Sequence, residues 1–249
     1  MPPPSFRALD SVRIVETLRR LRQRIEERFP AAGLVDVARD LESLGAKCAM
    51  EATALGAPNW PLRVAAGAVL AIVLAAAVNI VIPLWPGTAR FATMSELVQA
   101  IDSAVNDAVF LGVAIWFFVT LERRLKRRTA LRALHELRSV AHIVDMHQLT
   151  KDPERLLSPQ PDTRSSPSRA MTSDQLGRYL DYCSELLSLT SKLAVLYVQR
   201  FDDSIVLQGV NDVETLTNGL SRKIWQKISI LEASATRLEG PAAPTGHTT

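Results

Sequence analysis

The chain is predicted to be all-α: a two-span transmembrane helical hairpin carrying cytoplasmic amphipathic helices that form a small helical bundle. Three observations predict this. Residues 64–85 run for 22 positions without a charge. A second apolar run, 108–121, stops abruptly at five basic residues in seven: Arg123, Arg124, Lys126, Arg127 and Arg128. Elsewhere apolar residues recur at spacings of three and four, the period of one helical face. Composition agrees. Glycine is scarce, at 11 of 249 residues, and the abundant Ala, Leu and Arg lose little rotamer freedom in a helix.

The N-terminal segment, 1–59, reads as two cytoplasmic amphipathic helices. The first covers about 6–29, with Ile14, Leu18, Leu21 and Ile25 on one face and Glu16 and Arg20 as a favourable i,i+4 pair. Pro30 ends or bends it. The second carries Leu34, Val37, Leu41, Leu44 and Cys48, and Gly56, Pro58 and Pro61 interrupt it.

Residues 60–121 read as the membrane hairpin, with spans at about 62–85 and 103–121 and an outward loop at 86–102. A 22-residue helix is about 33 Å long, enough for a hydrocarbon core of roughly 30 Å. Trp60 and Trp85 bracket the first span, where aromatic rings favour the interfaces. The second reaches 19 residues only by taking in Asp107, whose carboxylate stays wet near the outer interface. Small residues recur every four positions: Gly67, Ala71 and Ala75, followed by Asn79, in the first span, and Ala104, Ala108 and Gly112 in the second. Such stripes let helix backbones approach closely in lipid. They are expected to face each other or a neighbouring subunit, with Asn79 joining helices by a hydrogen bond.

Orientation follows from charge. Lys and Arg beside the ends of spans stay cytoplasmic. The loop 86–102 holds one basic residue, Arg90, whereas 122–138 holds seven. Both termini are therefore expected in the cytoplasm, in an integral membrane protein of the bacterial inner membrane type. The collar Arg123, Arg124, Lys126, Arg127 and Arg128 suits anionic lipid headgroups.

Residues 122–150 continue the second span as a stalk. Leu131, Leu134, Leu137, Ala141 and Val144 give it an apolar stripe, and with Thr93 and Glu96 as a capping box the helix runs from about Met94 to Leu149. Residues 151–171 are rich in Pro and Ser and read as a flexible linker. Residues 172–239 form an antiparallel helical hairpin. Its first helix is lined by Leu176, Leu180, Cys183, Leu187, Thr190, Ala194 and Tyr197. Its second repeats the pattern from Val206 to Leu231, behind Asp202 and Asp203 at its N-terminus. These helices need the stalk or the N-terminal pair to close a bundle of three or four. Residues 240–249 are expected to be disordered.

Chemistry is sparse. The sequence holds no Gly-rich phosphate loop, HExxH, CxxC or GxSxG, and nothing in it asks for a cofactor. Cys48 and Cys183 fit small core residues. His135, His142 and Asp145 share one helical face and are the candidate metal ligands. A flank of Asn211, Glu214 and Asn218 is expected to meet that face as a polar layer setting register. The basic cluster abuts lipid-like sequence and lacks interleaved aromatics, which argues against nucleic acid.

The expected role is a membrane-anchored, non-enzymatic interaction, scaffold or regulatory module that self-associates as a homo-oligomer or recruits a protein partner. One alternative is a small oligomeric channel or transporter subunit using Asn79 and Asp107. Another is a helical-bundle metal-dependent enzyme using His135, His142 and Asp145.

Overall fold

The computed structural model describes residues 8–81, 94–153, 164 and 171–238. Among the described residues six helices carry the fold: α1 (Ser11–Arg28), α2 (Leu34–Gly56), α3 (Trp60–Val81), α4 (Met94–Leu149), α5 (Ser173–Val198) and α6 (Ser204–Leu238). Among the described residues there is no strand, and the all-helical bundle is as expected. Trp85, residues 86–93 of the expected outward loop (Thr93 among them), most of the expected linker and the tail lie outside the described residues, while residues 94–102 of that loop form the start of α4. The side chains of Glu96, Asn79, Ala104 and Asp107 also lie outside the description.

The described residues divide into two compact units. One draws on Met1–Gly56 and Ala130–Thr249, the other is Ala57–Thr129. The first is a bundle of α1, α2, the C-terminal part of α4, α5 and α6. Local chemistry sets its helix ends. Asp10 caps α1, its Oδ1 accepting from the Val12 N–H at 2.9 Å, so α1 starts later than its apolar pattern alone implied. Thr172 and Gln175 form a reciprocal capping box at the start of α5. Asp203 is buried at the start of α6 and accepts from the Ile205 and Val206 N–H groups. It satisfies donors that the first turn leaves orphaned.

Ile14, Leu18, Leu21 and Ile25 of α1 are all buried, as are Leu134, Leu137, Ala141 and Val144 of α4 and the run from Val206 to Leu231 of α6. The bundle is larger than the expected three or four helices because α5 is apolar on more than one face. Besides its expected stripe it buries Tyr179, Tyr182, Leu186, Leu189, Leu193 and Leu196. A helix apolar nearly all round belongs in the middle of its neighbours, and α5 packs against α1, α2 and α6. Phe29, Tyr179 and Tyr182 form an edge-to-face cluster, with centroids 5.5 and 6.2 Å from Phe29. The buried hydroxyls of Thr190 and Thr217 donate to the carbonyls of Leu186 and Val213, one turn back. Cys48 and Cys183 are buried free thiols. Burial pushes them up to about 11 and about 12, so both stay protonated core residues.

Helices α1, α2 and α5 meet closely at Gly45. A Cβ there would lie 2.8 Å from Leu18 Cδ1 and 3.5 Å from Leu193 Cδ1, both on buried side chains. Gly45→Leu should therefore overpack the bundle and lower its stability by about 1–3 kcal/mol. Denaturant unfolding followed by helicity measures this, and an unchanged midpoint would mean that the three helices do not meet there.

The second unit holds α3 and the part of α4 up to Thr129. Among the described residues, α4 is the one helix long and apolar enough to cross a membrane, and none of its most apolar 18-residue window is buried inside the protein. Phe110, Val113 and Trp116 are 68%, 60% and 61% exposed.

Candidate functional site

Within the second unit, charge is concentrated where the apolar stretch of α4 ends. Glu122 is the first charged residue after that stretch. Its Oε2 accepts from Arg63 Nε at 2.8 Å, and its Oε1 accepts from the backbone N–H of Asn59 at 3.1 Å. Lys126, one turn on, pairs with the same carboxylate at 3.0 Å and donates to the carbonyl of Ala57 at 2.7 Å. One carboxylate thus ties the start of α3 to α4, and one ammonium holds the turn preceding α3. Sequence explains the geometry. Pro61 lies in the first turn of α3, where its missing N–H costs no helical hydrogen bond. Glu122 precedes Lys126 by four residues, the favourable order on a helix. Glu122 also sits against the N-terminal, electropositive end of α3.

The carboxyl of Glu122 is held down to about 2, first by the hydrogen bond from Arg63, then by the Asn59 N–H and Lys126, against the opposing effect of burial. A carboxyl whose pKa falls on folding contributes stability that is complete above its ordinary value and is lost as pH drops toward the folded value. Glu122→Gln should cost about 1–3 kcal/mol at neutral pH, the scale of hydrogen bonds to a charged group. The gap in Tm between the two proteins in detergent should close between pH 5 and pH 2, starting from the ordinary value of 4.5. A gap independent of pH would show that the charge on Glu122 does not matter.

The five collar residues are not equivalent. Arg123, Arg124 and Arg128 are exposed and Arg127 is half-buried. The Arg124 guanidinium lies 5.2 Å from the Trp116 ring centroid, a cation–π distance. Lys126, a member of the expected headgroup set, is 17% exposed and is engaged inside the unit by Glu122 and Ala57.

Neither glycine of the small-residue stripes brings α3 and α4 into close contact. A Cβ on Gly67 or Gly112 would meet nothing within 4 Å, and Ala71, Ala75 and Ala108 are exposed. The half-buried positions are instead Leu62, Ala66 and Leu70 on α3 and Leu111, Ala114 and Phe118 on α4. The α3 face is displaced from the small-residue stripe by one residue, or about 100° around the helix.

In the first unit the expected polar layer is absent. His135, His142, Asn211 and Asn218 are exposed. Glu214 faces Ser191 of α5, at 3.5 Å, and Asp145 accepts from Gln148 Nε2 at 2.6 Å. Among the described residues no three His, Cys, Asp or Glu side chains gather as a metal site. His135, His142 and Asp145 therefore share a face of α4 without further ligands from neighbouring helices. His147 instead packs on Gly33, where a Cβ would fall 2.7 Å from its Cε1.

Lys227 does what the polar layer was expected to do. From α6 its ammonium donates to the carbonyls of Gln148 and Lys151 at 2.8 and 3.1 Å. It caps the C-terminal end of α4, where cations oppose the helix dipole. Burial lowers its pKa, while Asp152 and Asp145 raise it. The available signal was a lysine directly beside the apolar stripe of Ile224, Ile228 and Leu231.

No protein-family model, curated protein or solved structure matches this chain.

Proposed function

We propose that this chain is an integral membrane protein in which α3 and the apolar part of α4 form a two-span hairpin, and the helical bundle is a cytoplasmic, non-enzymatic interaction module. The observation that carries this reading is that no part of the apolar window of α4 is buried inside the protein. A soluble core helix of that composition buries its apolar side chains, whereas here Val109, Phe110, Val113 and Trp116 are exposed. In water such a surface is a large liability. In lipid it is the ordinary outer surface of a span. The uncharged sequence at 64–85 supplies the other span, and the basic bias after residue 121 supports both termini lying inside. Short loops with this bias fit a bacterial inner membrane.

The bundle supports recruitment or self-association rather than catalysis. Met146, Leu149 and Trp225 are more than half exposed on it, and Trp and Met are enriched at protein interfaces. Gly112, where an added Cβ would meet nothing within 4 Å, suits the close approach of a neighbouring copy.

The test is fractionation with topology mapping. The full chain should stay in the carbonate-resistant membrane pellet. A cysteine at position 90 should be labelled from outside, and crosslinking in native membranes should trap a dimer or a partner complex. Recovery in the aqueous phase without detergent removes the membrane reading. Labelling at position 90 from the inside alone removes the topology. Monomer alone after crosslinking removes the interaction role.

A further inference from the structure

A cleft lies between α3 and α4 in the second unit, and side chains do not close it. It encloses about 300 Å³, at the small end of the roughly 300–1,000 Å³ typical of small-molecule pockets. Its walls are apolar, with Ala66 and Leu70 on α3 and Leu111 and Phe118 on α4. Gly67 also lines it and keeps it open, because the space a side chain would occupy there is empty to 4 Å. One end is polar: Arg63 and Glu122 complete the lining.

The charge at that end is unbalanced. Arg63 and Lys126 bring two positive charges to one carboxylate, Glu122, leaving a net +1. Lys126 and Glu122 are nearly covered, at 17% and 16% exposure. Arg63 is 56% exposed. Its Nε donates to Glu122. A guanidinium has five N–H donors in a planar fork, a shape that matches phosphate oxygens. The excess positive charge is therefore presented at the mouth of an apolar slot by the residue type best suited to a phosphodiester.

We infer that this cleft is a binding site for one anionic phospholipid, with an acyl chain between α3 and α4 and the headgroup phosphate on Arg63. The inference rests on the membrane reading above, because only in a bilayer does the cleft open onto acyl chains. It differs from general attraction of the basic collar to anionic lipid, which needs no cavity and no Arg63. Its chemical logic is complementarity at both ends: apolar walls for the chain, and a net positive group for the phosphate.

The experiment is native mass spectrometry of the full-length protein, extracted in mild detergent and supplied with phosphatidylglycerol or phosphatidylcholine in equal amounts. The wild-type chain should retain one phospholipid, with phosphatidylglycerol favoured about tenfold. Gly67→Leu and Ala66→Leu fill the slot and should each lower retention of both lipids about tenfold. Arg63→Gln should bring the preference between the two lipids close to one. Helicity and carbonate-resistant membrane association are measured for each variant. A variant that keeps both and still retains lipid like the wild type overturns the site. So does lipid retention by the wild type without headgroup preference. A shift of the Gly67→Leu protein to a smaller oligomer, with no change in lipid, would show that a second copy fills the cleft and would also overturn the site. Loss of the wild-type chain from the membrane fraction would instead defeat the membrane reading, so the two failures are distinct.

Discussion

Val113→Arg is expected to remove the chain from the membrane fraction. Val113 is 60% exposed near the middle of the apolar stretch of α4. At the centre of a span an arginine costs about 2.5–3.5 kcal/mol on insertion scales. That penalty corresponds to roughly 60- to 300-fold in an insertion equilibrium, since about 1.4 kcal/mol is a factor of ten. The same substitution at an equally exposed site in water would change stability by no more than about 0.5 kcal/mol. The result therefore discriminates between the two solvents. Ile143→Arg is the control: Ile143 is 43% exposed on the bundle part of α4 and should be neutral. The measurement is the share of chain in the carbonate-resistant pellet. Equal shares for the Val113 and Ile143 variants would place the α4 surface in water.

Leu187→Ala should unfold the bundle more readily than any surface change. Leu187 is fully buried on α5, the helix with several buried faces. Truncation loses the transfer energy of the removed carbons and leaves a cavity, together about 2–5 kcal/mol. For a unit of this size that is a fall in Tm of roughly 4–20 °C. Trp225→Ala, at a position 58% exposed, removes a larger side chain and should cost far less. Thermal unfolding of the full chain in detergent, followed by helicity, compares them. A larger loss at Trp225 than at Leu187 would contradict the placement of α5 in the core.

Val113 and Leu187 lie in different compact units, and one continuous helix, α4, contributes to both. Up to Thr129, α4 belongs to the unit whose apolar side chains are exposed. From Ala130 onward one face of it, formed by Ala130, Ala133, Leu134, Leu137, Ala141 and Val144, is buried in the bundle. The change comes just after the charged run that begins at Glu122. That run does two jobs. Glu122 and Lys126 point into the unit and bind the start of α3 and the turn before it. Arg123, Arg124 and Arg128 remain exposed. Spacing explains the split: Glu122 and Lys126 are one turn apart on the face that meets α3, while the arginines occupy other directions around the helix.

By itself the sequence determined the helices, their approximate limits and most of the residues that would leave water. α4 spans Met94–Leu149, the range its uninterrupted pattern allowed. The stripe Ile14, Leu18, Leu21, Ile25 is buried throughout. These features are local: helix period, caps and breakers act over a few residues, and each leaves its mark within one turn. Only the tertiary structure decided which faces meet. It set α5 among its neighbours, put Leu62, Ala66 and Leu70 rather than Ala71 and Ala75 at the half-buried positions of α3, replaced an expected His–Asn layer with the Lys227 cap, and drew Lys126 inward. The physical reason is that a helix face acquires a partner only when another element arrives. Alanine-rich spans offer several nearly equivalent stripes, and a long lysine or arginine can reach water or a carbonyl with equal ease. The choice between them is made by contacts far apart in the chain.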